Sequence, residues 1–192
     1  MREINNIKKI QEILFKTLCY FDNFCKQHDI KYFLSNGTLL GAAKYGDFIP
    51  GDDDVDVIVP RKDYDRLVKM IEINNGEYKL FCREQIKTWR MPYAKLSYER
   101  TLLKEGEYNF GASFGLSLDI FPIDNWNSNL HIAKIEAFNS ELMKRCLINS
   151  IGTQFQTRKK GFAKIVLAGI WCAGKILGYK GAKLWLTFFQ AE

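Results

Sequence analysis

The sequence is poor in histidine, a residue that often serves in catalysis and in metal binding. Only two histidines, His28 and His131, occur in 192 residues, and they lie far apart. Catalysis by histidine and histidine-rich metal sites therefore receive little support. The five cysteines are an odd number without a C-x-x-C pair, which argues against a disulfide framework or a zinc site and favours reduced, mostly buried thiols.

Long uncharged apolar runs are also absent. Residues 162–189 are strongly apolar but are interrupted by lysines, so no run approaches the ~20 residues of a membrane-spanning helix. Residues 1–15 are charged and helical in pattern, so we expect no signal peptide and a cytoplasmic protein. No internal repeat and no RNP, zinc-finger or helix-turn-helix pattern is found, and nucleic acid is not an expected partner.

Charge is divided unevenly along the chain. The formal net charge is +6, and residues 127–192 hold ten Lys and Arg against three Asp and Glu, whereas residues 1–126 are nearly balanced. This asymmetry indicates an anionic partner. Because lysines flank Trp171, Trp185 and Phe188, one hypothesis is contact with an anionic membrane surface at its inner face. An ordinary helix pair with a solvated basic face is the alternative.

The periodicity of apolar residues predicts an α/β (α+β) fold, a mixed sheet flanked by helices. We expect helices over residues 3–28 and 61–73, and a short helix that begins near Thr38 as its N-cap and ends near Gly46. The predicted strands are the segments IKYFLS, DVDVIVP, YKLFCRE, RMPYAKLSYE and GLSLDIFPID. Residues 1–126 are expected to form the catalytic core, and residues 127–192 a helical basic appendage.

Four aspartates crowd the start of one predicted strand, in the segment GDDDVDVIVP. Side chains alternate along a strand, so Asp54 and Asp56 share one face, about 7 Å apart, while the intervening valines face the core. Carboxylates this close repel each other unless something positive neutralises them. Magnesium, or manganese, favours oxygen ligands and also binds substrate phosphates.

Other interpretations compete with a metal site. Asp52 and Asp53 suit a solvated turn after Pro50 and Gly51. A calcium loop of the EF-hand type is rejected, because Val57 stands where that loop needs glycine. The DxD motif of metal-dependent glycosyltransferases stays open, since DxD alone is a weak signal.

Two further features make the aspartates more specific. Upstream, Gly37 and Thr38 stand at a predicted helix start, where backbone N–H groups and the helix dipole can bind phosphate. Downstream, Asp119 is isolated in an apolar predicted strand, which is costly unless its charge is neutralised. A Gly-Thr turn, a helix, a strand with two carboxylates and a third carboxylate later are typical of nucleotidyltransferase-type active sites.

The segment from residue 32 to 67 strongly resembles the LicD family of phosphoryl-substituent transferases. The matching residues are the runs YF, NGTLLGA, DFIPGDDDVD and PRKDY, followed later by YAKLSYERT and GLSLDIFPID. The resemblance implies a nucleotidyltransferase-like fold and a magnesium-dependent enzyme. It further implies transfer of a phosphoryl-alcohol, best known as phosphocholine from CDP-choline, to a sugar hydroxyl of a cell-surface glycan such as teichoic acid, capsule or lipopolysaccharide.

Under this hypothesis Asp54 and Asp56 bind the metal, and Asp119 is a third ligand or the general base. Phosphate binding is assigned to Gly37, Thr38, Lys44, Arg61 and Lys95. For Arg61 and Lys95 the alternative is a surface ion pair, for instance with Asp65 or Glu99. An aromatic cage for choline could draw on six residues: Trp89, Tyr93, Tyr98, Tyr108, Phe110 and Trp126.

The chain also departs from the family pattern. Asn36 replaces the first glycine of a pair, Gly51 replaces a tryptophan, and Lys44 replaces an arginine. A further family segment rich in Pro, Tyr and Gly is not found. A non-catalytic relative that only associates with a membrane or partner enzymes is therefore an alternative.

Overall fold

The computed structural model of the chain describes its residues 4, 6–103, 110–125, 128–131, 134, 161, 164–169 and 171–172. The chain divides into two compact units, residues 1–104 with 112–125, and residues 105–111 with 126–192. The first unit contains the sheet and its helices. The predicted helical appendage lies mostly outside the described residues and stays a prediction, although residues 164–169 are helical.

Three helices belong to the first unit. They are α1 Ile7–Gln27, α2 Asn36–Tyr45 and α3 Arg61–Leu67, and a 3₁₀ turn covers Ile71–Ile73. Helix α1 begins after Asn6, whose side chain accepts a hydrogen bond from the Lys8 N–H at 3.0 Å, as N-cap residues do.

Five strands form one mixed sheet in the order β1-β2-β5-β4-β3. The strands are β1 Phe33–Leu34, β2 Val55–Pro60, β3 Tyr78–Phe81, β4 Ala94–Tyr98 and β5 Ser117–Ile123. Strands β2 and β5 pair in parallel, and the other neighbours pair antiparallel. The predicted mixed α/β class is confirmed.

The two faces of the sheet have opposite character. One face carries apolar side chains without solvent exposure, which share a core with α1: Val55, Val57, Val59, Ala94, Leu96, Leu118 and Ile120. Since side chains alternate along each strand, the intervening residues Asp56, Lys95 and Asp119 lie on the other face. The apolar face holds the sheet together and leaves the second face for chemistry.

Several predicted element bounds were wrong. The N-cap position of α2 is Ser35, not Thr38, which lies buried in the first turn. The Thr38 hydroxyl is engaged elsewhere, because its oxygen accepts a hydrogen bond from the backbone N–H of Asp56. Helix α2 does end at Gly46, whose φ of 64° is left-handed. Helix α3 ends at Leu67, short of the predicted residue 73, and β1 is two residues long.

No helix within the described residues is long and apolar enough to cross a membrane.

The two isoleucines of β5 provide a test of the sheet's orientation. Ile120 has no solvent exposure, whereas Ile123 in the same strand is 46% exposed. We expect Ile120→Ala to lower the free energy of unfolding by about 2–5 kcal/mol, since it leaves a cavity in the core. The matched change Ile123→Ala should cost about 1 kcal/mol or less. Urea denaturation measures both, and equal losses would contradict the assigned faces.

Candidate functional site

Strand pairing aligns two carboxylates and an ammonium group across three neighbouring strands. Asp119 on β5 lies directly opposite Asp56 on β2 and directly opposite Lys95 on β4. We call Asp56, Asp119 and Lys95 the central row. All three share the face of the sheet that turns away from the apolar core. The register therefore unites residues that are distant in the sequence, and it does so on rigid strands.

Within the central row, Lys95 and Asp119 form a largely buried ion pair. The Lys95 Nζ lies 2.5 Å from the Asp119 Oδ1. The same ammonium lies 5.6 Å from the ring centre of Tyr93 and 5.4 Å from that of Phe114. Burial raises the pKa of Asp119 to about 6, although the charge of Lys95 acts in the opposite direction. A carboxyl group with this pKa can exchange a proton near neutral pH.

Asp56 is fixed by the first turn of α2. Its Oδ2 accepts a hydrogen bond from Asn36 Nδ2 at 2.9 Å, and its backbone N–H donates to Thr38 Oγ1 at 2.9 Å. Burial raises the pKa of Asp56, and the bond from Asn36 opposes that shift. Asn36 has a φ of 46°, a conformation that asparagine adopts more readily than most residues and that glycine adopts freely. This explains why asparagine can replace a glycine of the family pattern here.

Asp54 and Asp52 extend the negative charge beyond the central row. Partial burial raises the pKa of Asp54, and the charge of Asp52 raises it further. The Asp52 Oδ2 is buried and has no hydrogen-bond partner within the described residues. This oxygen lies against Gly37, where an added Cβ would approach it to 2.8 Å. One interpretation of the sequence makes Asp52 part of a solvated turn. In the structure the backbone N–H of Asp52 donates a hydrogen bond to the backbone oxygen of Ile49, which closes the turn. The side chain of Asp52 also lies close enough to Asp54 to raise its pKa.

Helix α1 holds the turn that carries these aspartates. Gln11 Nε2 donates to the backbone oxygen of Asp52 at 2.8 Å and to that of Ile49 at 3.3 Å. Gly41 of α2 packs closely against the segment before this turn, because an added Cβ there would lie only 2.7 Å from the backbone oxygen of Asp47. Gln11 and Asp52 are thus the site residues that sequence reasoning missed. No sequence pattern predicts that the Asp52 Oδ2 is buried without a described hydrogen-bond partner. No pattern links Gln11 to the turn either, because the two are about 40 residues apart along the chain.

The structure does not bring every predicted site residue to the central row. Gly37 and Thr38 lie beside Asp52 and Asp56, as described above. Arg61 lies past the opposite end of β2, where Nε and Nη2 donate to the two carboxylate oxygens of Asp124 at 2.6 and 2.8 Å. Its contact with Asp65 is longer, at 3.8 Å.

Two lysines of the predicted phosphate-binding set are placed differently from each other. Lys44 is exposed in the last turn of α2, with its Nζ 5.2 Å from the ring centre of Tyr45, whereas Asp56 is bound by the first turn. Lys95, by contrast, pairs with Asp119 and not with Glu99. The ion-pair alternative therefore applies to both residues: Arg61 pairs with Asp124 and, at the longer distance, with the predicted Asp65, whereas Lys95 pairs with Asp119 in place of Glu99.

The donor atoms of this cluster suit a hard divalent cation. They are carboxylate oxygens, one of which is paired with Lys95, and Asp52 contributes a buried oxygen that has no hydrogen-bond partner among the described residues. Within the described part of the chain, no three Asp, Glu, His or Cys side chains form a group that could hold a metal ion as they are placed. The pairing of Asp119 with Lys95 is one reason. The carboxylate oxygens are suitable ligands for a divalent cation, but the side chains would have to move closer together to bind one.

Comparison with known proteins identifies the family of the chain. The family model described as LicD/FKTN/FKRP, nucleotidyltransferase domain, matches residues 29–147. The chain belongs to the LicD family. It is also similar to the lipopolysaccharide cholinephosphotransferase LicD of Haemophilus influenzae (strain ATCC 51907 / DSM 11121 / KW20 / Rd), with 31% identity over 120 residues. That alignment covers 62% of this chain and 44% of the relative, so the chain spans less than half of that protein.

The raised pKa of Asp119 predicts how stability depends on pH. The pKa is about 6 in the folded protein against 3.8 for an ordinary aspartate, so between these values the folded state keeps a proton that the unfolded state has released. The free energy of unfolding of the metal-free protein should therefore fall as pH rises from about 4 to 6, by on the order of 2 kcal/mol from this group. Urea denaturation in the presence of a chelator, repeated across this range, measures the fall.

Two variants isolate the contribution of Asp119. Asp119→Asn should remove that part of the pH dependence. Asp124→Asn should leave it in place, because the hydrogen bonds from Arg61 lower the pKa of Asp124 and its contribution has the opposite sign. An unchanged decline in Asp119→Asn would show that the proton resides on another group.

Proposed function

We propose that this LicD-family chain transfers phosphocholine from CDP-choline to a sugar hydroxyl of a cell-surface glycan such as lipopolysaccharide, teichoic acid or capsule. In this reaction the phosphorus–oxygen bond to CMP breaks, and a phosphorus–oxygen bond to the sugar forms. The acceptor hydroxyl loses its proton. Membership of the LicD family and the likeness to a cholinephosphotransferase support the class of reaction. The nucleotidyltransferase-like fold, the CDP donor and the identity of the glycan are parts of the proposal.

The observation that carries the proposal is the central row with Asp54 beside it. Phosphoryl transfer depends mainly on positioning and on the stabilisation of charge, and it requires little covalent chemistry from the protein. A row of carboxylate, carboxylate and ammonium on adjacent strands supplies both signs of charge at fixed spacing. A purely structural ion pair would not require Asp54, Asp56 and an orphaned Asp52 oxygen on the same side.

Magnesium, with manganese as the alternative, is the cofactor of the proposed reaction. Asp54 and Asp56 would hold it, with Asp52 or Asp119 as the further oxygen ligand. When bound, the ion neutralises negative charge on the attacked phosphate and on the departing CMP. The orphaned Asp52 oxygen and the pKa values of Asp54 and Asp56, which burial raises, support this choice, because a bound cation would favour the ionised carboxylates.

The protein's own groups have distinct roles in the proposal. Asp119, with its pKa of about 6, accepts the proton of the acceptor hydroxyl. Lys95 holds Asp119 in place and offers positive charge to the phosphate. Gly37 and Thr38, at the start of α2, contribute the helix end that favours anions. Arg61 has no role in the proposed reaction, because its Nε and Nη2 already donate to the two carboxylate oxygens of Asp124 at the other end of β2.

The proposal includes a place in the cell. We propose a cytoplasmic protein that contacts the inner face of the membrane through residues 127–192. The support is the excess of Lys and Arg in that segment, which would attract anionic lipid.

Transfer of labelled choline phosphate to purified glycan tests the function. With lipopolysaccharide, teichoic acid and capsule as acceptors, we expect transfer that a chelator abolishes and added magnesium restores. Asp54→Asn and Asp56→Asn should each lower the rate about 100-fold or more, since several kcal/mol of charge stabilisation are lost. Asp53→Asn is the matched control in the same acidic run and should stay within about threefold of wild type.

The result can also go against the proposal. Full transfer in the Asp54→Asn, Asp56→Asn double variant would remove these residues from the site. Preferential binding of a nucleotide sugar such as UDP-glucose over CDP-choline, measured by calorimetry, would favour the DxD glycosyltransferase instead.

Lys95 on β4 and Arg61 at the start of α3 should differ in their effect on the rate. Lys95→Arg keeps the charge but displaces it, and we expect a rate loss of about tenfold or more at a nearly unchanged melting temperature. Arg61→Gln should change the rate less than about threefold, although it breaks the pair with Asp124. Equal losses of activity would show that Arg61 also reaches the substrate.

A further inference from the structure

The face of the sheet that carries the central row continues into apolar and aromatic side chains. Phe121 lies two residues after Asp119 on β5, and Tyr93 lies two residues before Lys95, so both share that face. Ile58 lies opposite Phe121 in the register of β2 and β5. We call Phe121 and Tyr93, together with the neighbouring Ile58, the aromatic row. The rings of Tyr93 and Phe121 are 4.5 Å apart, and all three residues are partly exposed.

A hydrogen bond from Trp89 holds the backbone of Tyr93 in position. The Trp89 side chain has no solvent exposure, and its indole N–H donates to the backbone oxygen of Tyr93 at 2.9 Å. Trp89 is therefore a support for Tyr93 and cannot itself face a substrate.

The structure also sorts the other aromatic residues that the sequence proposed for a cage. Tyr98 lies on the core side of the sheet, where it contacts Tyr78 with ring centres 5.5 Å apart. Phe110 belongs to the other unit, and Tyr108 and Trp126 lie outside the described residues. Of the six candidates, Tyr93 is the one that the described part of the chain places next to the central row.

We infer that Tyr93 and Phe121 form the subsite for the trimethylammonium group of the donor's choline, an inference that rests on the proposed function. Same-face neighbours on a strand are roughly 7 Å apart. The chain of one oxygen and two carbons that joins phosphorus to nitrogen in phosphocholine is somewhat shorter than this distance, so it can reach from one row towards the next. A phosphate over the central row would thus place the choline nitrogen over the aromatic row.

Charge and ring chemistry favour a cation at this position. Aromatic faces attract quaternary ammonium groups through the ring quadrupole. Among the described residues, Asp54, Asp56 and Asp119 outnumber the ammonium of Lys95, which lies 5.6 Å from the Tyr93 ring centre and is paired with Asp119. The methyl groups of choline bury apolar surface against the two rings. An ethanolamine ammonium would instead lose water there, where the rings replace its hydrogen bonds poorly.

Calorimetric titration in magnesium buffer tests the subsite with four ligands. They are CDP, CDP-choline, CDP-ethanolamine and a neutral CDP ester with a tert-butyl group in place of the trimethylammonium group. Wild type should bind CDP-choline about 5- to 10-fold more tightly than the neutral ester, which has the same shape without the charge. Tyr93→Leu and Phe121→Leu should each reduce that preference to about twofold or less, with the affinity for CDP unchanged.

Two control variants separate ring chemistry from folding. Tyr93→Phe keeps the ring and should keep the preference for CDP-choline. Tyr45→Leu removes an exposed tyrosine at the end of α2 and should also keep it. Unchanged CDP affinity in each variant shows that the site has folded.

The outcomes distinguish the subsite from the reaction. A full preference for CDP-choline in both leucine variants would overturn the subsite. Wild-type protein that binds CDP but does not prefer CDP-choline to the neutral ester would also overturn it, and would leave transfer of another phosphoryl-alcohol standing. Protein that binds none of the four ligands would overturn the proposed function and this inference with it.

Discussion

The register of strand β5 against its two neighbours is the constraint on which the rest of the site depends. Because β5 pairs in parallel with β2 and antiparallel with β4, Asp119 lies opposite both Asp56 and Lys95. A shift of one residue in either pairing would send the shifted partner's side chains to the other face. Leu118 and Ile120, buried without exposure on the core side, fix the register through the hydrophobic effect. Core packing thus determines the geometry of the charged groups.

The same arrangement places charge where it is costly. Burial raises the pKa values of Asp56 and Asp119, although the charge of Lys95 acts in the opposite direction on both. Residues that strain the folded state in this way are common at functional sites. The turn that carries Asp52 is held by Gln11 from α1, so the N-terminal helix contributes to the site as well as to the core. Support of this kind holds the like charges of these aspartates close together.

The aromatic row adds a second kind of surface to the same face of the sheet. Ile58, Phe121 and Tyr93 follow the central row at the strand repeat, so one face presents charged groups and then rings. A donor that joins a diphosphate to a compact cationic alcohol has the same sequence of chemical groups. The face is built from residues of three strands, and the buried Trp89 supports one end of it. Recognition and reaction are therefore proposed for adjacent rows of a single rigid surface.

The local features of this protein can be predicted from its amino-acid sequence alone. The alternation of charge and valine predicted β2 and placed Asp54 and Asp56 on one face, and the isolated Asp119 indicated a third carboxylate. Motif resemblance identified the LicD family. These signals are short-range or carried by specific residue patterns, so they can be read without a structure.

The tertiary structure decided what depends on contacts between distant segments. Lys95 pairs with Asp119, and Arg61 pairs with Asp124. The Thr38 hydroxyl does not cap a helix but accepts a hydrogen bond from the backbone N–H of Asp56. The fold also brings Gln11 and Asp52 together and sets Tyr93 against Phe121. Such partners are chosen by strand register and packing, which no local pattern specifies, because a charged or aromatic side chain suits many neighbours until the fold selects one.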